Sequence, residues 1–128
     1  MVDFMTLKIV LDENIPHSRE IFSPFGEIIA LPGRQIQNQD LKEADTLIIR
    51  SITNVDKNLV QNTKIKFIGT CTIGTDHVKE KDLADANIKF FSAPGCNAQS
   101  VAEYVLTSLL DFAHKTNISL KGKTLGIV

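Results

Sequence analysis

Cysteine is scarce in this chain: two residues in 128, too few for a disulfide framework. A reducing compartment is therefore the default, and both thiols read as buried and inert. No apolar run approaches the about 18 residues needed to cross a bilayer. The N-terminus, Met1-Val-Asp-Phe-Met-Thr-Leu-Lys8, has an acid where a secretory signal needs bases, and it lacks a small-residue cleavage site. There is no excess of either charge: 14 Lys+Arg face 15 Asp+Glu, for a net charge of −1 and a pI near 6.3. That argues against a nucleic-acid module, which would carry a basic patch. No His-x3-His or Cys-x2-Cys spacing suggests a metal, and no Gly-x-Ser-x-Gly, P-loop or Gly-x-Gly-x-x-Gly motif is present. The expectation is a cytosolic protein with no membrane, nucleic-acid or metal partner.

The rest is ordinary for a globular protein of 14.2 kDa: 43% hydrophobic, 23% charged, mean hydropathy +0.02. Its length favours one domain. Five short β-branched runs stand out, Leu7-Lys-Ile-Val-Leu11, Ile28-Ile-Ala-Leu31, Thr46-Leu-Ile-Ile49, Lys66-Phe-Ile-Gly69 and Ile88-Lys-Phe-Phe91. Most lack strict alternation, the pattern of strands buried on both faces of a parallel sheet. Helix signals fill the gaps: Pro16 opening a helix to about residue 23, Asp40-Leu-Lys-Glu-Ala44, Asp56-Lys-Asn-Leu-Val60 and Lys81-Asp-Leu-Ala-Asp-Ala86. Alternating strands and helices predict an α/β parallel sheet with right-handed crossovers. The leucine-rich repeat frame that a period near 20 can signal is absent.

The style changes near residues 92–97, a candidate domain boundary. From Asn97 to Lys115 the apolar residues Val101, Ala102, Val105, Leu106, Leu109, Leu110 and Ala113 fall at helical spacing. Ser100 and Glu103 fit a capping box, with Asn97 the other candidate cap, and His114 and Lys115 suit the negative end of the helix. Thr124 to Val128 reads as a further strand, and the sequence ends there as if a unit were interrupted.

Ligands of open parallel sheets gather at the carboxyl ends of the strands. Those ends bring Asp12-Glu-Asn14, Pro32-Gly-Arg34, Arg50-Ser51, Gly69-Thr-Cys-Thr-Ile-Gly-Thr-Asp-His77 and Ser92-Ala-Pro-Gly-Cys-Asn97. Two arginines, several hydroxyls and glycines that expose backbone amides suit an anionic ligand. The same residue types also make ordinary turns. Asp76 is a candidate cap for the next helix, and Asp12-Glu13 are read as capping or orienting their own turn rather than as acid catalysts. His17 reads as a solvated helix residue and His114 as a helix-end residue. For His77 a structural hydrogen bond outweighs catalysis.

Taken together, these stretches resemble the N-terminal part of the NAD-dependent D-2-hydroxyacid dehydrogenases. The resemblance is carried by Ile9-Val-Leu-Asp-Glu-Asn-Ile-Pro16, Leu31-Pro-Gly-Arg34, Ile49-Arg-Ser-Ile-Thr53, Phe67-Ile-Gly-Thr-Cys-Thr-Ile-Gly-Thr-Asp-His77 and Ala93-Pro-Gly-Cys-Asn-Ala98, continued by Val101-Ala-Glu-Tyr-Val-Leu106. It covers about residues 7–128 and is strongest toward members that oxidise 4-phospho-D-erythronate in vitamin B6 formation. It implies a flavodoxin-like substrate-binding domain over 1–97, then the first helix and strand of a Rossmann domain over 98–128, truncated before its glycine loop.

NAD would be held by the missing portion, and the family's catalytic Arg, Glu and His would lie outside this chain. The resemblance makes Ser51 and Thr72 substrate contacts, with Arg50 and Asn97 beside the substrate and cleft. Arg34 is assigned to the phosphate on charge and loop position. The implied ligand is a small phosphorylated 2-hydroxy acid, and the implied partner a second copy, as a homodimer or swapped oligomer through helix 97–115. The other readings are a dehydrogenase of another 2-hydroxy acid, or a non-catalytic assembly module. One departure is Lys79, where the family has an acid or Asn after Gly-x-Asp-x-Val, which puts the cap of the next helix in doubt.

Overall fold

The computed structural model describes residues 6–127. The chain divides into two compact units, 1–94 and 95–128.

The first unit is a parallel five-stranded sheet. Its strands are β1 (Leu7–Asp12), β2 (Gly26–Leu31), β3 (Thr46–Ile49), β4 (Phe67–Thr70) and β5 (Lys89–Phe91), in the order β2-β1-β3-β4-β5. This is the doubly wound order in which the chain reverses direction after β2, and it leaves a crevice between the carboxyl ends of β1 and β3. Leu11 stands opposite Ile48, and Ile49 opposite Thr70. The ends of β1, β3 and β4 therefore lie side by side. Val10, Leu47, Ile49 and Ile68 build the larger core with Leu41, Val55, Leu59, Val78 and Leu83. The other sheet face, with Ile9, Leu11 and Ile48, has a smaller core with Ile15 and Phe22.

The expected strands are all present, but burial on both faces holds only for the central ones. β1 and β3 are sealed toward their carboxyl ends, while β2, β4 and β5 are only partly covered. β2 and β5 are the sheet edges, which no local pattern reveals. The helices are α1 (Ser18–Phe22), α2 (Lys57–Val60) and α3 (Glu80–Asp85). Pro16 lies in the turn before α1 rather than inside it. Residues 40–44 do not form an α-helix. Asn38–Leu41 is a single 3₁₀ turn, because Asp40 Oδ2 accepts the Gln37 N–H at 2.8 Å and closes a capping box there. Asp56 caps α2 by accepting the Leu59 N–H at 3.0 Å. Lys79 precedes α3 with no side-chain cap, as its departure from the family pattern suggested.

The second unit is dominated by α4 (Ala98–Thr116), closed by Asn117 in the left-handed region at φ 53°. The capping box expected from Ser100 and Glu103 is not formed. Glu103 instead accepts from Gln99 at 2.7 Å, one turn away. Val101, Tyr104, Val105, Leu106, Leu110 and Phe112 are exposed. The strand expected over 124–128 is also not formed. Residues 124–127 join no ladder, and a strand exists only through a partner; Val128 lies outside the described residues. Among the described residues no helix is long and apolar enough to cross a membrane.

Candidate functional site

The carboxyl edge of the sheet is organised by one acid. Asp12, the last residue of β1, is completely buried. Its carboxylate accepts Arg50 Nε at 2.8 Å through Oδ2 and Arg50 Nη2 at 3.3 Å through Oδ1. Oδ1 also accepts the Asn14 N–H at 2.9 Å. Asp12 thus orients its own turn, as expected, and also holds the arginine that follows β3. Burial pushes its pKa up, but the Arg50 and Asn14 hydrogen bonds and the guanidinium charge outweigh this, so the carboxyl sits below its ordinary value. Arg50 is one-third exposed. The side-on pairing uses Nε and Nη2, leaving Nη1 as the guanidinium nitrogen not engaged by Asp12.

Glycine at position 33 follows from this arrangement. A Cβ there would stand 2.4 Å from Asp12 Oδ2 and 3.1 Å from Thr53 Oγ1. The bare backbone lets the loop after β2 close over the carboxylate. The buried Thr53 hydroxyl then donates to the Gly33 carbonyl at 2.9 Å, tying the loop after β2 to the loop after β3.

Those two loops form an open depression of about 550 Å³, lined by Gly33, Arg34, Ile36, Ser51, Thr53 and Asn54 among others. It brings together two of the expected site residues, Arg34 and Ser51, both exposed. Arg34 has no ion pair among the described residues. Of the two arginines at this edge, Arg50 is neutralised from within and Arg34 is not.

Thr72 lies beyond the end of β4. Its Oγ1 is 2.7 Å from Thr70 Oγ1 and donates to the Gly74 carbonyl at 3.3 Å. Thr70 Oγ1 also lies 3.1 Å from His77 Nε2, the structural hydrogen bond expected of this histidine. Burial lowers the His77 pKa, and the Asp76 charge opposes this only in part. Asp76 provides no side-chain cap to α3. Asn97 belongs to the second unit, where it precedes α4, is exposed and makes no side-chain cap bond. Cys71 and Cys96 are both exposed, which corrects the expectation of buried thiols. They sit in loops after strand ends, and position outweighs the general tendency of cysteine to be buried. His17 is exposed as expected and pairs with Glu20 at 3.2 Å. No metal-binding cluster occurs among the described residues.

Sequence reasoning missed Asp12 as the partner of Arg50, Gly33 as the point of close approach, and Thr53 and Thr70 as buried organisers. The register offers a signal for the first. With Leu11 opposite Ile48, residues just past the ends of β1 and β3 must meet.

A family model described as the catalytic domain of D-isomer specific 2-hydroxyacid dehydrogenases matches residues 9–122. The erythronate-4-phosphate dehydrogenase of Aeromonas salmonicida is 51% identical over 123 residues, which cover 95% of this chain and 33% of that protein. The chain thus spans about a third of the length of the curated relatives it matches. Among solved structures, the TT0316 protein of Thermus thermophilus superposes with a TM-score of 0.73 at 19% identity, covering 86% of this chain and 38% of that one. The NAD+-bound 3-phosphoglycerate dehydrogenase of Entamoeba histolytica superposes with a TM-score of 0.69 at 23% identity, covering 94% of this chain and 43% of that one. At these identities the two likenesses speak for the fold.

Proposed function

Because the chain belongs to the D-isomer specific 2-hydroxyacid dehydrogenase family, we propose that it supplies the substrate-binding part of an NAD-dependent erythronate-4-phosphate dehydrogenase. Residues 1–97 bind the phosphorylated 2-hydroxy acid, and 98–128 begin the dinucleotide domain. The whole enzyme oxidises the 2-hydroxyl of 4-phospho-D-erythronate in vitamin B6 formation, in the cytoplasm. The nicotinamide cofactor accepts the hydride. These 128 residues do not fit that cofactor: they contain no Gly-x-Gly-x-x-Gly loop, and 124–127 form no strand to present one. No residue here is assigned to it.

The single observation behind this reading is the Arg34–Ser51 depression, in a chain half-identical to erythronate-4-phosphate dehydrogenases. The ligand is anionic at both ends, with a carboxylate and a phosphate. Arg34, an exposed cation with no ion pair among the described residues, takes the phosphate. The Ser51 and Thr72 hydroxyls and Arg50 Nη1 contact the acid. Asp12 fixes the angle of Arg50, so that guanidinium meets the ligand already ordered and loses less rotamer freedom. The exposed apolar stripe of α4 is assigned to self-association as a homodimer or swapped oligomer, and sedimentation of a clean monomer at high micromolar concentration would remove that assignment.

The test is calorimetric titration of the chain with 4-phospho-D-erythronate, with D-glycerate and D-lactate as controls and NAD+ separately. The phosphorylated acid binds and NAD+ does not. Arg34→Ala weakens binding about tenfold or more, the scale of one lost charge-assisted hydrogen bond. D-glycerate binding as tightly as the phosphorylated acid would refute the phosphate assignment.

A further inference from the structure

Two buried or half-buried groups at the end of β4 contact no ligand in the reading above, yet they are wired to one that does. Thr70 is 4% exposed and touches both the Thr72 hydroxyl and His77 Nε2. A threonine hydroxyl has one proton to give, so once the Gly74 carbonyl takes that of Thr72 the other directions in the cluster follow. The Gly74 carbonyl can only accept, so Thr72 gives it its proton. Thr72 can then only accept from Thr70, which uses the one Thr70 proton. The Thr70 oxygen must in turn accept from His77, so Nε2 bears the hydrogen.

We propose that His77 and Thr70 are positioning residues that preset the Thr72 hydroxyl as a donor toward an anionic oxygen of the ligand. The inference rests on the reading of Thr72 as a substrate contact. The chain runs from His77 Nε2–H to Thr70, then to Thr72, then outward. Its last bond, 3.3 Å to the Gly74 carbonyl, is long for a hydroxyl donor. A carboxylate or phosphate oxygen takes the proton over with a shorter, charge-assisted bond, and the two bonds behind it polarise Thr72 further. The opposite tautomer would reverse the chain. Thr70 would then donate to Nε2 and Thr72 to Thr70, and Thr72 would present lone pairs to an anion. Burial lowers the His77 pKa and keeps the ring neutral near neutral pH, so a tautomer has to be chosen, and the hydroxyl chain chooses it.

The ring nitrogens of His77 report this directly. In the ¹⁵N-labelled chain near neutral pH, the resonances lost in His77→Gln identify the ring. Nε2 is expected to have the shift of a protonated nitrogen and Nδ1 that of an unprotonated one. Calorimetry with 4-phospho-D-erythronate then compares four variants with the unsubstituted chain. Thr70→Val and His77→Leu remove links and weaken binding about five- to tenfold, the scale of one hydrogen bond. Thr70→Ser restores the hydroxyl and His77→Gln a donor near Nε2, and both bind within about threefold of the parent. If Thr70→Val does not fold, the His77 pair still decides the matter at its half-buried site. A proton on Nδ1, or undiminished binding by both link-breaking variants, overturns the proposal. If the unsubstituted chain binds no phosphorylated acid while Nε2 is protonated, the function proposed for the site fails, and the ring shifts still establish the direction of the chain.

Discussion

Replacing Arg50 with Met should cost far more stability than replacing its partner, Asp12, with Asn. Methionine keeps most of the aliphatic stem, so the change is chiefly electrostatic. It strips two hydrogen bonds, at 2.8 and 3.3 Å, from a carboxylate with no exposure at all. What remains is Asn14, through its N–H and more weakly its side chain. Removing one partner of a buried pair costs about 3–5 kcal/mol. Asp12→Asn strands the other member, but Arg50 is one-third exposed and water can replace the lost acceptor. A loss of about 1–2 kcal/mol is expected there. The pH dependence separates the variant from the parent. In the parent, the Asp12 pKa lies below 3.8, so its stabilisation is present above that value and is lost as pH falls through the lowered one. In Arg50→Met the guanidinium no longer offsets burial, so the carboxyl pKa rises above the parent's, and the penalty is largest at neutral pH and shrinks on acidification. Urea unfolding followed by circular dichroism measures both, since the chain has no tryptophan for fluorescence. Acidification should therefore narrow the gap between Arg50→Met and the parent as pH falls from the variant's carboxyl pKa toward the parent's lowered one. Equal, small losses for the two variants, or a gap that does not narrow, would refute the idea of a sealed carboxylate held by one arginine.

Two further outcomes follow from the same edge of the sheet. Gly33→Ala drives a methyl to 2.4 Å from Asp12 Oδ2, an oxygen already pinned by Arg50, and should lower stability by about 1–3 kcal/mol in urea unfolding. Burial holds the His77 pKa below 6.5, so the unfolded chain binds more protons below that value and stability declines as pH falls through it. His77→Gln should flatten this part of the stability–pH curve, and an unchanged slope would place the titrating group elsewhere.

Much of the sheet was legible because its strands are short β-branched runs between turn residues, and α2 and α3 because Asp56 and the acids of Glu80–Asp85 mark their first turns. The misreadings share one cause: each depends on something distant or on a competing local bond. Residues 40–44 have helical composition, but Asp40 turns back on the Gln37 N–H and the chain enters β3 at Thr46. Residues 124–127 have strand composition and no ladder. Ile28, Ile29 and Phe91 look like interior residues, yet the strand order puts β2 and β5 at the edges, leaving Ile29 and Phe91 exposed.

The site divides in the same way. Ser51, Thr72 and Arg50 could be picked out by family pattern, and Arg34 by charge and position. What decides how the two arginines differ is Asp12, 38 residues away from Arg50 in sequence. That partnership becomes legible only when β1 is known to lie beside β3, because the register then sets the residues after Leu11 against those after Ile48. The consequence is chemical. An arginine paired from within is a rigid, nearly neutral unit suited to orienting a carboxylate, whereas an unpaired one on the rim of an open depression offers a whole charge. A doubly anionic acid needs both kinds of contact, one for geometry and one for charge. On this logic, Arg50→Met should weaken every 2-hydroxy acid to a similar degree. Arg34→Ala should weaken only those with a phosphate, and titrating the two variants with phosphorylated and plain acids separates the roles. Equal losses for both acids in Arg34→Ala would mean that its charge is not reserved for phosphate.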